Sequence, residues 1–257
     1  MCFELDSLPP IPPLAGAAVS HRDLELTSAD GTRFAAFAAE PDEPSGVGVV
    51  VLPDVRGLYR FYEELALRFA ERGHAAVAID YFGRTAGVAK RDDDFPYREH
   101  AARTRTDQIQ TDVRAAVAWL RSSEGGSRDA VFTVGFCFGG RQSWLAAASS
   151  HGLAGAVGFY GRPGERDGEP GPIARAAEMQ APILALQAGT DQNISAEIND
   201  AFDHALTATG VEHEVATYDG APHSFFDRRQ DEFAEASEDA WERVLSFLER
   251  HAVRSAA

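Results

Sequence analysis

Apolar and polar positions change rhythm repeatedly along this chain. Residues 22–41, RDLELTSADGTRFAAFAAEP, alternate about Ala29-Asp30-Gly31 and predict an antiparallel hairpin. Residues 47–55, VGVVVLPDV, are almost continuously apolar, the pattern of a strand covered on both faces. Leu58, Phe61, Leu65 and Phe69 then recur at spacings of three and four, which predicts a helix ending near Gly73. HAAVAIDYFG gives the next strand and its exit, and residues 84–98 read as a polar loop. Ile109, Val113, Ala116 and Leu120 mark one face of a second long helix.

AVFTVGF (130–136) predicts a strand, with a helix from Gly139 through RQSWLAAAS. LAGAVGFYG and APILALQAG are two short buried strands separated by a long loop over 162–180. A helix over 196–209 leads to the strand EHEVATYDG and then to a loop holding His223. Phe233, Ala240, Val244 and Leu248 close the chain as an amphipathic helix. Strands alternating with helices predict an α/β fold, a mostly parallel sheet with helices on both faces.

Length and charge narrow this picture. With 257 residues the chain can bury a large single core, so residues 21–252 are expected as one domain. The prolines at 9, 10, 12 and 13 make residues 1–20 an extended lead-in, and 253–257 a short tail. Forty acidic against 24 basic residues give a net charge of −16, which repels nucleic acid and anionic lipid. The acidic, proline-rich start is unlike a signal peptide, and no run approaches 18 uncharged apolar residues. Two cysteines, Cys2 and Cys137, suggest no disulfide framework. A cytoplasmic monomer acting on a small molecule is the expectation. No metal-ligand spacing or dinucleotide-binding glycine pattern occurs, so no metal or cofactor is expected.

Candidate chemistry begins with GFCFG at 135–139, between a predicted strand and a predicted helix. This is the G-x-nucleophile-x-G spacing of a sharp strand-to-helix turn, which presents its central side chain above the sheet. The helix N-terminus then favours a thiolate, and the Phe138 N–H would face a developing oxyanion. The pentapeptide alone also suits packing glycines around an inert core cysteine. Its strand and helix context favours the nucleophile.

A thiol nucleophile needs a histidine base, and the base needs an orienting carboxylate. GTDQNIS places Asp191 just beyond a buried strand, and GAPHSFF places His223 just beyond the last one. Both fall where the carboxyl ends of parallel strands gather ligands. The chain's other histidines fall at predicted element ends or on surfaces and read as structural or solvated.

GFCFGG, GTDQNIS and GAPHSFF strongly resemble the dienelactone hydrolase family of α/β-hydrolases, from about Arg22 to Leu248. The resemblance implies an α/β-hydrolase fold and hydrolysis of a lactone or carboxylic ester through a thioester on Cys137, with Asp191 and His223 completing the triad. It implies a carboxylate after the first central strand, usually glutamate and here Asp54, that helps switch the thiol to thiolate. Val55 N–H would be the second oxyanion donor beside that of Phe138. The family's characterised substrates carry a carboxylate held by arginines. Arg84 stands at the first matching position; at the second this chain has Asp227, with Arg228 one residue later. Arg56 is a further candidate pocket cation, and the 160–180 and 84–98 loops are candidate pocket rims.

Two other readings stay open on the sequence. A broad thiol carboxylesterase or thioesterase would use the same triad without preferring a free carboxylate. A non-catalytic thiol-redox protein would reuse the fold, because fold alone does not establish activity.

Overall fold

A computed structural model describes residues 3, 4, 6–92 and 94–255; Cys2, Asp93 and the last two residues of the expected tail lie outside the described residues. The alternating segment forms the predicted hairpin, β1 (Val19–Thr27) against β2 (Arg33–Pro41), with Leu24 opposite Ala36. Next come β3 (Val47–Leu52), α1 (Arg60–Ala70) and β4 (Ala75–Ile79). Two short helices, α2 (Gly83–Ala86) and α3 (Tyr97–Ala101), lead into α4 (Thr106–Arg121). The chain continues through β5 (Ala130–Phe136), α5 (Phe138–Ala147), β6 (Gly155–Phe159) and β7 (Ile183–Ala188). It ends with α6 (Ala196–Thr209), β8 (His213–Tyr218) and α7 (Ala234–Ser255).

Among the described residues eight strands form one sheet in the order β1-β2-β4-β3-β5-β6-β7-β8. Only the pairs made by β2 are antiparallel; the other five pairs are parallel. Alternation along β3 shows why its sequence is apolar throughout. Val49 and Val51 join the core beneath α1 and α7, with Phe61, Phe69, Val244 and Leu248. Val50 and Leu52 join the opposite core, with Ile109, Val113 and Leu120 of α4. A strand buried on both faces has no polar positions to spare.

Residues 84–98 depart from the expected polar loop. Besides the two short helices, the segment buries Arg91, whose guanidinium grips Asp80 at 2.7 and 3.1 Å. Both side chains are almost fully buried, and Asp80 also accepts the N–H groups of Leu58 and Phe82. Bidentate geometry and these extra donors offset the desolvation of the pair. The loops after β3 and β4 are thereby tied together. The proline-rich lead-in packs on the body: Phe3 is 2% exposed and stacks on Phe61 with ring centroids 3.9 Å apart. Among the described residues, no helix is long and apolar enough to cross a membrane.

Candidate active site

β5 ends at Phe136 and α5 begins at Phe138, so one residue makes the whole turn. That residue is Cys137, at φ 56° and ψ −112°, a strained conformation for any side chain with a Cβ. The residues two positions to either side must be glycine. A Cβ on Gly135 would strike the carbonyl of Gly139, and one on Gly139 would strike the carbonyls of Leu52 and Pro53. The turn is held by Cys137 N–H to Phe159 O at 2.9 Å and by Arg141 N–H to Cys137 O at 3.2 Å. The partly exposed thiol lines a cleft of about 770 Å³.

Asp191 follows β7 by three residues and His223 follows β8 by five. The structure joins them: His223 Nδ1 lies 2.5 Å from Asp191 Oδ2. Asn193 N–H donates to the other carboxylate oxygen at 2.8 Å. Burial alone would raise the Asp191 carboxyl, but His223 and the N–H groups of Asn193 and Ile194 outweigh it and hold it below the usual value. The Tyr160 ring packs against the imidazole with centroids 4.9 Å apart. His223 and Cys137 line the same cleft, so three strand ends deliver a thiol, an imidazole and a carboxylate to one place.

Val55 and Phe138 line that cleft too, beside Arg56, Arg98, Arg162 and Arg166. Arg56 lies over the Tyr97 ring and 3.6 Å from the Glu4 carboxylate. Arg166 lies over the Phe138 ring at 4.7 Å. Arg141, buried at the start of α5, donates to the carbonyls of Arg162, Gly164, Glu169 and Pro170, and so shapes the loop that carries Arg162 and Arg166. Among the described residues no group of three or more His, Cys, Asp or Glu stands close enough to hold a metal.

The sequence profile of the dienelactone hydrolase family matches residues 34–252. The chain belongs to that family. A "putative carboxymethylenebutenolidase" from Yersinia pestis is 30% identical over 230 residues, spanning 87% of this chain and 86% of its own. The carboxymethylenebutenolidase of Rhodococcus opacus is 29% identical over 261 residues, covering 98% and 97%. Among solved structures, the "putative dienelactone hydrolase" of Klebsiella pneumoniae superposes with a TM-score of 0.79 at 26% identity, over 90% of this chain and 99% of that one. The fold is that of the α/β-hydrolases, and the chain is a carboxylic ester hydrolase of the dienelactone hydrolase type.

Against that family pattern, two of the expected substrate contacts, Arg84 and Arg228, lie away from the cleft. Arg84 does not line the cleft. Its guanidinium is spent on Asp112 at 2.6 Å and Asp30 at 2.8 Å, with Ser28 also bonded to Asp112. Arg228 is exposed on a different groove with the proline segment, because Asp227 before it turns inward. Asp54 is fully buried and outside the cleft lining: it accepts the Tyr59 hydroxyl at 3.0 Å and the Arg56 N–H at 2.8 Å. These bonds tie its carboxylate to the turn that carries Val55. Of the aromatic residues after the strands, Phe138 lines the cleft, whereas Tyr81, Phe82 and Phe225 are core.

No motif in the sequence marks Arg162 and Arg166 as cleft residues. The available signal was two arginines in RPGERD directly after a buried strand, at the sheet's carboxyl edge where ligands gather.

Proposed function

We propose that this enzyme hydrolyses a lactone or ester bearing a free carboxylate, with Cys137 as nucleophile, His223 as base and Asp191 as its orienting acid. The observation that carries this reading is the strained Cys137 turn opening into the cleft lined by His223, whose Nδ1 is held by Asp191. With Nδ1 engaged, Nε2 is the atom left to take the thiol proton. The thiolate attacks the carbonyl carbon, and the oxyanion is received by the N–H groups of Val55 and Phe138. The C–O bond breaks, and the imidazolium returns its proton to the leaving oxygen. Water, deprotonated by the same imidazole, then attacks the thioester, the C–S bond breaks, and the thiol is regenerated.

Carboxylate recognition rests on Arg56, Arg162 and Arg166, a local cluster of cations in a chain of net charge −16. Such a pocket concentrates an anionic substrate where the remaining surface repels it.

The test is steady-state hydrolysis of cis- or trans-dienelactone beside p-nitrophenyl acetate, with the wild type, Cys137→Ala and Asp191→Asn. Dienelactone is expected to be turned over well above the neutral ester, with kcat falling by about 10³-fold or more in both variants. Turnover of the neutral ester alone would leave a thiol esterase without carboxylate recognition. Full activity of Cys137→Ala would remove the nucleophile from the mechanism.

A further inference from the structure

The loop that carries His223 is tied within itself, by Phe225 N–H to Pro222 O at 3.2 Å and Gln230 N–H to Asp227 O at 2.8 Å, and also to the opposite end of the chain. Ser224 has a left-handed φ of 64°, and within the loop Gln230 Nε2 donates to Ser224 O at 2.9 Å. Further anchorage comes from the opposite end of the chain. The Ser7 hydroxyl donates to Asp227 Oδ2 at 2.6 Å, with both residues buried. Arg228 N–H donates to Leu8 O at 3.1 Å, and the Arg229 guanidinium meets Asp6 at 2.5 Å. Asp227 Oδ1 accepts the Arg229 N–H at 3.1 Å, so one carboxylate joins the loop to itself and to the lead-in.

Phe3 makes a second connection. Its ring stacks on Phe61 and stands 6.3 Å from Tyr160, whose own ring packs on His223. Phe3 and Glu4 also share with His223 the lining of a second cavity, about 570 Å³, beside the cleft. The lead-in therefore touches the imidazole's surroundings from both the loop and the ring that backs it.

We infer that the N-terminal segment is a positioning element for His223, acting chiefly through the Ser7–Asp227 hydrogen bond. The inference rests on His223 being the base. Asp227 occupies the position where the family resemblance leads one to expect a substrate-binding arginine. In this chain that position has an inward, structural use, and the cations of the cleft come from other loops. A base must be held to within about half an ångström of its productive place, and a loop achieves that only through what is packed against it. The buried Asp227 carboxylate supplies one such anchor, and the Ser7 hydroxyl is its partner across the chain.

The experiment compares Ser7→Ala, Ser7→Thr and the double variant Ser7→Ala/Asp227→Ala with wild type and His223→Ala on one ester. Two readouts are taken, kcat and KM separately, and the rate at which iodoacetamide alkylates Cys137 at pH 7. Ser7→Ala is expected to lose kcat by about ten- to hundredfold, the scale of an ångström's misplacement, with KM within about twofold. Ser7→Thr, which keeps the hydroxyl, is expected to restore most of kcat. The double variant removes both partners and leaves no orphaned charge, so it is expected to fold and still to show the kcat loss and slower alkylation. Wild-type kcat and alkylation in the double variant, with His223→Ala inactive, would overturn the positioning role alone. Full activity of His223→Ala would remove the base itself, and the inference would fall with it.

Discussion

The guanidinium of Arg166 lies over the ring of Phe138, 4.7 Å from its centroid. Phe138 is the residue after the nucleophile candidate, so this stacking brings a loop cation to the mouth of the cleft beside Cys137. Its Nε meets the Asp167 carboxylate at 3.2 Å, and an arginine stacked on an aromatic face still presents its terminal N–H groups to a planar anion. Arg166→Ala is expected to raise KM for an anionic lactone by about tenfold or more, since a charge-assisted hydrogen bond contributes about 1.5–3 kcal/mol. Turnover of p-nitrophenyl acetate should stay within about twofold. Steady-state kinetics on both substrates checks this, and equal losses on the two would contradict an anion-binding role.

Asp54 makes a pH-dependent contribution of unusual sign for a carboxylate. Burial, opposed by the Arg56 N–H and the Tyr59 hydroxyl, raises its pKa to about 6 from an ordinary 3.8. The folded state therefore holds this proton more tightly than the unfolded state does. Its contribution is most favourable below pH 3.8 and is lost as pH rises towards 6, by about 3 kcal/mol in all. Asp54→Asn is expected to abolish that part of the slope. Urea unfolding of wild type and variant at steps between pH 4 and 8 measures it; identical slopes would contradict the assignment.

Two buried histidines act in the opposite direction. His74, bonded to Ser45 through Nδ1, and His151, bonded to Gln110 through Nε2, are each lowered to about 4 from 6.5, chiefly by burial. For each, stability is fully present above pH 6.5 and is lost as pH falls towards 4, by about 3 kcal/mol apiece. His74→Gln and His151→Gln are expected to flatten the acid limb of the stability curve, each by about that amount. The same denaturation series reads them. Unchanged acid limbs in both would show that the rings are protonated in the folded protein.

Much of the fold was legible along the chain because its signals are local. The predicted hairpin, the long helices and the parallel strands all appear, since alternation, three-and-four spacing and unbroken apolar runs each reflect which faces are buried. Within residues 84–98, which read as a polar loop, the sequence gives no sign of one feature: Arg91 looks solvated but is buried on Asp80, eleven residues earlier. A buried ion pair leaves no periodicity.

The candidate site divides in the same way. The turn at Cys137 could be read in the sequence because its glycines answer to collisions with backbone only a few residues or one strand away. The order of Cys137, Asp191 and His223 was legible as well, since each follows a recognisable strand. Tertiary structure alone decided what the arginines do. Whether Arg84 reaches the cleft depends on Asp112 and Asp30, which other elements bring to it. Arg162 and Arg166 take their places from the loop that Arg141 holds by its carbonyls. The lead-in reads as polyproline in isolation, and only the folded chain brings Ser7 to Asp227, 220 residues away. Strands and sharp turns are dictated by neighbouring residues, whereas long charged side chains and loops take whichever partner the assembled fold presents.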